Sequence, residues 1–133
     1  MKFNPYLNFD GKCAEAFAFY AELFGGTIGF IQTFGESAMK DDVPAEMHGA
    51  IMHASVDIGG QFLFGSDAVG EMYKQPQGFA VSLGLSDVDE AERIFAGLVK
   101  GGVESMALQQ TFWARRFGMC TDRFGIPWMV NCE

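Results

Sequence analysis

The chain has 133 residues, of which 49% are hydrophobic, and its formal charge at pH 7 is −8. This size predicts one globular domain with a substantial core, and no apolar stretch approaches the roughly 20 residues of a membrane span. The acidic balance argues against a nucleic acid partner, since a phosphate backbone favours a basic surface, and no apolar signal region follows Met1, so we expect a cytoplasmic protein.

The first half of the chain predicts a strand, a helix and three further strands. Residues 2–9 alternate as a strand does, and residues 15–24, EAFAFYAELF, show the apolar spacing of an amphipathic helix. That helix ends at a Gly pair, which suits a left-handed cap. Strand-like segments follow at residues 27–34, at about 49–58 and at 61–65, and a Gly-Gly hairpin turn joins the last two.

The second half repeats this order. Residues 79–85 predict a strand, residues 90–99 a helix that also ends before a Gly pair, and residues 103–108, 117–121 and 128–132 three strands. Four residues of the two helices are identical at a constant offset of 75: Glu15, Ala16, Ala21 and Leu23 match Glu90, Ala91, Ala96 and Leu98. We therefore expect one domain over 1–133, with repeat one at about 1–65, a linker at about 66–78 and repeat two at about 79–133.

Two βαβββ repeats of this kind predict an α+β fold in which the sheets form a curved, mostly antiparallel surface with the helices outside. The concave side would be a hollow suited to a ligand. Because side chains alternate along a strand, Tyr6 and Asn8 should face this hollow while Leu7 and Phe9 pack beneath the first helix. In the last strand, Met129 and Asn131 share one face, and the core-directed residues Trp128, Val130 and Cys132 share the other.

The stretch TFWARRFGMCTDRFGIPWMVN, residues 111–131, gathers both Trp residues and three Arg residues of an acidic chain. One interpretation is structural: Trp113 anchors a loop, and Arg116 pairs with Asp122 or with an acidic residue of a helix. The other is functional: Trp113 and Arg116 form the lip of a pocket, where the indole stacks on a ligand and the guanidinium meets an anionic group.

These motifs are similar to those of a known family. The paired repeat, with EAFAFY in its first helix and D-x-F-G before its last strand, resembles the vicinal oxygen chelate superfamily, which includes glyoxalase I, ring-cleaving dioxygenases and bleomycin resistance proteins. The segments PYLNFDGKCAEAFAFY, HASVDIGGQFLFGSD and TFWARRFGMCTDRFGIPWMVN resemble the PhnB-like branch, often labelled as demethylubiquinone methyltransferase-like. The resemblance implies the glyoxalase-like α+β fold and a homodimer; a fold alone does not fix an activity.

The resemblance also raises the question of a metal. Metal enzymes of the superfamily carry His or Gln on the first strand of each repeat and Glu on the last. Near those places this chain has Asn8, Phe64, Ala80 and Met129, which are poor ligands for a hard metal ion. We therefore predict no metal and no cofactor.

The chain's two histidines are separated by an odd number of residues, so on one strand they would face opposite sides. His53 resembles a histidine typical of the PhnB-like branch. It is either a ligand-binding residue or a hydrogen-bonded histidine of the sheet, whereas His48 is expected in a solvated loop.

Other chemistry finds little support in the sequence. Cys13, Cys120 and Cys132 are odd in number and lack C-x-x-C spacing, which favours reduced thiols over disulfides or catalysis. The Gly pairs follow helices rather than precede them, so they do not predict a phosphate-binding loop, and no Rossmann fingerprint supports a methyltransferase.

The sequence thus predicts a metal-independent small-molecule binding protein. Two alternatives stay open: a metal-dependent glyoxalase- or dioxygenase-type enzyme, and a metal-free enzyme that uses Tyr6, His53 or an Arg. We expect no nucleic acid and no membrane partner. The predicted ligand-binding residues are Tyr6, Asn8, His53, Trp113, Arg116, Met129 and Asn131.

Overall fold

A computed structural model describes residues 1–68 and 70–133 of the chain. They divide into two compact units, Met1–Lys74 and Gln75–Glu133. The boundary, after Lys74, lies within the segment predicted as a linker, about 66–78. The last strand of the first unit extends into that segment and ends at Asp67.

The first unit contains one helix and four strands. Strand β1 (Tyr6–Phe9) is followed by helix α1 (Cys13–Phe24) and by strands β2 (Thr27–Thr33), β3 (Ile51–Ile58) and β4 (Gln61–Asp67). The strands lie in the order β1-β4-β3-β2, with β1 parallel to β4 and the other pairs antiparallel. Short 3₁₀ turns occur at Lys40–Asp42, Ala45–Met47 and Gly70–Met72.

The second unit has the same topology. Strand β5 (Val81–Leu85) precedes helix α2 (Val88–Val99), and strands β6 (Val103–Gln109), β7 (Arg116–Thr121) and β8 (Pro127–Cys132) follow. The sheet order is β5-β8-β7-β6, again with one parallel pair, β5 with β8. The predicted α+β fold of two βαβββ repeats is confirmed, as two hydrogen-bonded sheets of four strands each. That the two sheets enclose a hollow stays a prediction.

Helix α1 is fixed at both ends by contacts that suit its backbone. Gly25 adopts a left-handed conformation, with φ of 69°, and ends the helix as the sequence predicted. At the other end the carboxylate of Asp67 accepts hydrogen bonds from the backbone N–H of Cys13 (3.0 Å) and of Ile51 (2.9 Å). Asp67 lies at the end of β4, so a residue distant in sequence satisfies a helix N–H that would otherwise have no partner.

Each helix packs an aromatic ring onto a Gly of its sheet. A Cβ atom on Gly65 would lie 2.7 Å from Phe17 of α1, and one on Gly118 would lie 2.8 Å from Phe95 of α2. A side chain at either position would therefore force the aromatic ring or the neighbouring strand to shift. Tyr20 of α1 and Phe95 of α2 are both buried on the inner faces of their helices.

The turn DRFGIPW is held by one buried carboxylate. Asp122 Oδ1 accepts hydrogen bonds from the backbone N–H of Phe124 (2.9 Å) and of Ile126 (3.0 Å), and Oδ2 accepts one from Trp128 Nε1 (2.8 Å). The Trp128 side chain is buried beneath α2, on the face of β8 predicted from strand alternation. This segment therefore has an architectural role: the Asp122 carboxylate holds the turn and the Trp128 side chain together.

None of the helices formed by the described residues has the length and apolar character needed to cross a membrane.

Candidate functional site

The first sheet has one face covered by α1 and one that lies opposite it, which we call its helix-free face. Leu7 and Phe9 are buried under the helix, so Tyr6 and Asn8 point to the helix-free face. The strand register puts Phe64 beside Tyr6, Ser55 beside Phe64, and Phe30 beside Ser55. This row runs across the whole sheet.

An aromatic cluster centred on His53 occupies this face. The Tyr6 hydroxyl forms a hydrogen bond with His53 Nδ1 at 3.1 Å, and the two rings stack with centroids 5.6 Å apart. The rings of Phe64 and Phe30 lie 5.6 Å and 5.8 Å from that of His53. We call these four residues the Tyr6 cluster. Tyr6 is 48% exposed and Phe30 is 47% exposed, so much of its aromatic surface is not covered by the protein.

Polar groups lie next to the Tyr6 cluster. Asn8 follows Tyr6 on the same face of β1, and its Oδ1 accepts a long hydrogen bond, 3.4 Å, from the hydroxyl of Ser66. The Asn8 side chain is exposed. The face thus combines flat apolar rings with an amide and a Tyr–His pair, which is the usual make-up of a site for a small organic molecule.

The second sheet also has a helix-free face, which carries three of the predicted site residues. Met129 lies beside Met119, and Asn131 lies beside Phe117. The Trp113 ring packs edge-on against Phe117, with centroids 5.2 Å apart, and is half exposed. The structure therefore brings Trp113, Met129 and Asn131 to the same part of the second unit.

Arg116 does not share this face. It is paired with Cys132, on the side of the sheet that α2 covers, and its Nε lies 3.3 Å from Glu92 Oε1 of that helix. The neighbouring Arg115 donates to the backbone oxygens of Ser86 and Glu133. The geometry favours the structural interpretation of this arginine, an ion pair with a helix acid, over the pocket lip that the sequence also suggested.

His48 lies in the loop that the sequence predicted. Its Nε2 is hydrogen-bonded to the backbone oxygen of Lys40 at 2.8 Å, within the segment that joins β2 to β3. Among residues 1–68 and 70–133, no group of three or more His, Cys, Asp or Glu side chains is placed to hold a metal ion.

The three cysteines are buried. Cys13 is the first residue of α1, whereas Cys120 and Cys132 lie in β7 and β8, on the face of the second sheet that α2 covers. Burial raises the pKa of the Cys13 thiol to about 12, and the charge of Asp67 adds to the rise. Burial likewise raises the pKa of Cys120 to about 11, with further contributions from Asp122 and Glu104. Since the thiolate is the reactive form, both residues are poor nucleophiles near neutral pH.

Sequence reasoning predicted Tyr6 for the candidate site but missed Phe30 and Phe64, whose rings also lie near His53. Phe62 and Phe64 stack with centroids 6.0 Å apart, and their spacing in β4 gave a usable signal, because alternate residues share a face. Phe30 gave no such signal. A register shift between Ile28 and Phe30 interrupts the alternation of β2.

Solved structures with the same arrangement of strands and helices identify the fold. The chain has the fold of the glyoxalase and fosfomycin resistance proteins. The fosfomycin resistance protein FosX from Listeria monocytogenes matches with a TM-score of 0.66 at 12% identity, over 99% of this chain and 92% of that one. At that identity the likeness concerns the fold alone.

Closer comparisons define the family within that class. A sequence profile described as 3-demethylubiquinone-9 3-methyltransferase matches residues 1–131. Protein YjdN of Escherichia coli K12 is 37% identical over 98% of this chain and 95% of its own length. The chain therefore belongs to the 3-demethylubiquinone-9 3-methyltransferase-like, or PhnB-like, family.

Two solved structures are similar over the whole chain. Protein PA1353 from Pseudomonas aeruginosa is 43% identical with a TM-score of 0.89, covering 100% of this chain and 98% of that one. A PhnB protein from Bacillus cereus is 24% identical with a TM-score of 0.84, and both chains are covered completely. The second likeness, at its lower identity, concerns the fold.

Proposed function

We propose that this chain binds a small organic molecule without the help of a metal ion, and that the Tyr6 cluster is the centre of its site. The observation that carries the proposal is the Tyr6–His53 hydrogen bond within a set of partly exposed aromatic rings. Exposed aromatic rings on a face that also carries polar side chains are typical of ligand sites.

We further propose that the protein acts in the cytoplasm as a homodimer.

The ligand that suits this face is flat and partly apolar. A conjugated or aromatic ring would stack on Tyr6, Phe30 or Phe64, where the negative faces and positive edges of the rings favour offset or edge-on contacts. The imidazole of His53 and the amide of Asn8 would then orient its polar groups. A charge on the ligand is not required, since the Tyr6 cluster contains no carboxylate or guanidinium.

A second candidate is a metal-free enzyme that uses the Tyr6–His53 pair. A hydroxyl that is hydrogen-bonded to an imidazole can transfer a proton to or from a bound substrate. Proton transfer by positioned side chains typically raises a reaction rate by about 10²–10⁴-fold. Under this alternative, Tyr6→Phe would abolish turnover of the identified ligand while leaving its binding within a few-fold. If the protein only binds the ligand, neither the wild type nor the variant should convert it.

The metal-dependent alternative and the methyltransferase description make different predictions. Asn8, Phe64 and Met129 supply neither carboxylate nor imidazole at the places where the resemblance would put metal ligands. We expect elemental analysis of the purified protein to find no stoichiometric divalent metal, and Zn²⁺, Ni²⁺ and Mn²⁺ not to raise its melting temperature.

Titration with S-adenosylmethionine tests the methyltransferase description: saturable binding to the folded chain would support it.

The main experiment screens small aromatic compounds by thermal shift and compares three proteins: wild type, Tyr6→Ala, which removes the stacking ring, and Tyr73→Ala. A compound that binds the folded state raises its melting temperature. We expect at least one compound class whose shift is reduced in Tyr6→Ala and retained in Tyr73→Ala, a matched change outside the Tyr6 cluster. Equal shifts in both variants would contradict the site.

Oligomeric state is tested separately by sedimentation or light scattering of the purified protein. A monomer at concentrations well above the expected intracellular level would contradict the dimer, and it would leave the binding proposal standing.

A further inference from the structure

Two rings of the Tyr6 cluster stand at opposite edges of the first sheet. Tyr6 belongs to β1 and Phe30 to β2, the two outermost strands, and each side chain is about half exposed. Their ring centroids lie 5.6 Å and 5.8 Å from that of His53. Within the described part of the first unit, no strand lies beyond β1 or β2. The two rings therefore keep aromatic surface open to a ligand on the sides that do not face His53.

A local irregularity of β2 holds Phe30 in this position. The register between β2 and β3 shifts between Ile28 and Phe30, and the Ser55 hydroxyl oxygen accepts a hydrogen bond of 3.1 Å from the backbone N–H of Phe30. Bulges of this kind re-aim side chains and occur often at sheet edges and functional sites. The placement of the Phe30 ring is thus fixed by backbone and side-chain hydrogen bonding.

Negative charge dominates the first unit. Residues 1–74 contain ten Asp and Glu residues against four Lys and no Arg, a balance of −6 within the chain's formal charge of −8. The four lysines lie outside the strands, at Lys2, Lys12, Lys40 and Lys74. A charged molecule approaching this unit therefore meets a potential that attracts cations and repels anions.

The helix-free face of the first sheet follows the same trend. Its one formally charged side chain among the described strands is Asp57, two residues beyond Ser55 in β3 and the Cα partner of Phe62. The Phe62 ring stacks on that of Phe64, a member of the Tyr6 cluster. The other strand residues of this face are aromatic or uncharged polar groups. An anionic ligand would find no Lys or Arg of these strands to pair with.

We propose that the Tyr6 cluster prefers an organic cation, a quaternary ammonium or an N-alkylated heteroaromatic ring, held by cation–π contacts with Tyr6 and Phe30. A cation within about 6 Å of a ring centroid is attracted by the negative face of the ring. A cation without N–H groups suits rings best, because it needs no hydrogen-bond acceptor. This inference rests on the proposed function and adds the charge class of the ligand; a neutral ring binds the same cluster less tightly.

The experiment compares three probes of similar size that differ in charge: N-methylpyridinium, toluene and benzoate. Each is titrated into the isotope-labelled full chain at constant ionic strength while the ring signals of Tyr6, Phe30 and His53 are followed. Because cation–π contacts at partly exposed sites are modest, we expect N-methylpyridinium to bind roughly two- to fivefold more tightly than toluene. Benzoate should bind at least about tenfold more weakly than N-methylpyridinium.

Leucine variants separate the rings from the charge of the whole unit. Tyr6→Leu and Phe30→Leu keep an apolar side chain but remove the aromatic face. We expect each to lower the ratio of N-methylpyridinium to toluene affinity, and the double variant to bring it to about one. Phe112→Leu is the control, since that ring belongs to the second unit and is 97% exposed. None of these changes alters the net charge, and retained dispersion of the amide spectrum verifies folding.

The contribution of the carboxylate is measured with Asp57→Asn. Asp57 Oδ1 accepts a hydrogen bond from the backbone N–H of Gly60 at 2.8 Å, which the amide oxygen of Asn would also accept. Asp41→Asn, in the segment that joins β2 to β3, makes the same change of net charge as a control. We expect both variants to retain a preference for N-methylpyridinium over toluene, because the rings supply it.

The outcomes separate this inference from the proposed function. Toluene binding at the Tyr6 cluster as tightly as N-methylpyridinium, or benzoate binding comparably, would overturn the cation preference and leave the proposed function standing. A preference that survives the double leucine variant but is lost in Asp57→Asn would overturn the cation–π assignment. If no probe shifts the rings of the cluster, the inference fails, and if no screened compound does so either, the proposed function fails as well.

Discussion

Arg116 at the start of β7 forms an ion pair with Glu92 of α2, with Nε 3.3 Å from Oε1. The pair joins the strand to the helix that covers it, and the guanidinium also donates to the backbone oxygen of Arg115 at 2.7 Å. Both contacts lie away from the helix-free face. The sequence offered this arginine as a candidate for anion binding, and the contacts it makes in the structure belong to the helix–sheet packing.

The first prediction concerns this pair. Arg116→Ala should lower the free energy of unfolding by no more than about 1 kcal/mol, because both side chains are partly solvated and such pairs are weak. Chemical denaturation of Arg116→Ala, Glu92→Gln and the double variant measures their coupling. Ligand affinity should stay unchanged in all three. A severalfold loss of affinity in Arg116→Ala alone would restore the pocket-lip interpretation.

The second prediction concerns the buried faces of the two helices. Tyr20→Ala and Phe95→Ala should each destabilise the protein by roughly 3–5 kcal/mol, since both rings are buried and their sites are closely packed. Phe112→Ala is the control: that ring is 97% exposed, and its loss should change stability by less than about 0.5 kcal/mol. Urea titrations compare the three. Similar losses at all three positions would contradict the assignment of the buried helix faces.

The third prediction follows from the buried thiols. The pKa of Cys13 is raised to about 12 and that of Cys120 to about 11, whereas a free thiol ionises near pH ~8.5. Above that pH the unfolded chain loses protons that the folded chain keeps. The contribution of these two thiols to stability should therefore be constant below about pH 8 and fall as the pH rises toward 11, by up to ~1.4 kcal/mol per pH unit for each thiol.

This effect is isolated by comparing how steeply the free energy of unfolding falls with pH in the wild type and in a variant without the two thiols. Denaturation at several pH values between about 8 and 10.5 should give a shallower decline for the Cys13→Ala, Cys120→Ala double variant than for wild type. Other groups titrate in this range, but they contribute equally to both proteins. Identical slopes would mean that the thiols ionise as readily in the folded state as in the unfolded state.

The repeat made the fold predictable from sequence. The 75-residue offset between the helices fixed their equivalence, and the Gly pairs fixed where they end. Strand alternation then placed Leu7 under α1 and Trp128 under α2, as observed. The N-terminal support of α1 was not predictable, because Asp67 reaches Cys13 across 54 residues.

The site was predictable only in part, for reasons of register. Alternation put Tyr6 on the correct face, but its hydrogen bond to His53 depends on how β1, β4 and β3 align, which the sequence does not give. Arg116 was left ambiguous because the predicted strand began at Phe117; the observed one begins a residue earlier. That extra residue pairs with Cys132 and so lies on the helix side.

Binding of a small organic molecule at the Tyr6 cluster is best tested by aromatic NMR of the labelled chain. Small aromatic compounds, including phenol and benzamide, are titrated while the ring signals of Tyr6, His53 and Phe64 are compared with those of Phe9 and Tyr20 beneath α1. We expect saturable shifts at the first three rings and little change at the two core rings. Compounds that leave the Tyr6 cluster unperturbed, or that shift the core rings equally, would contradict binding at this cluster.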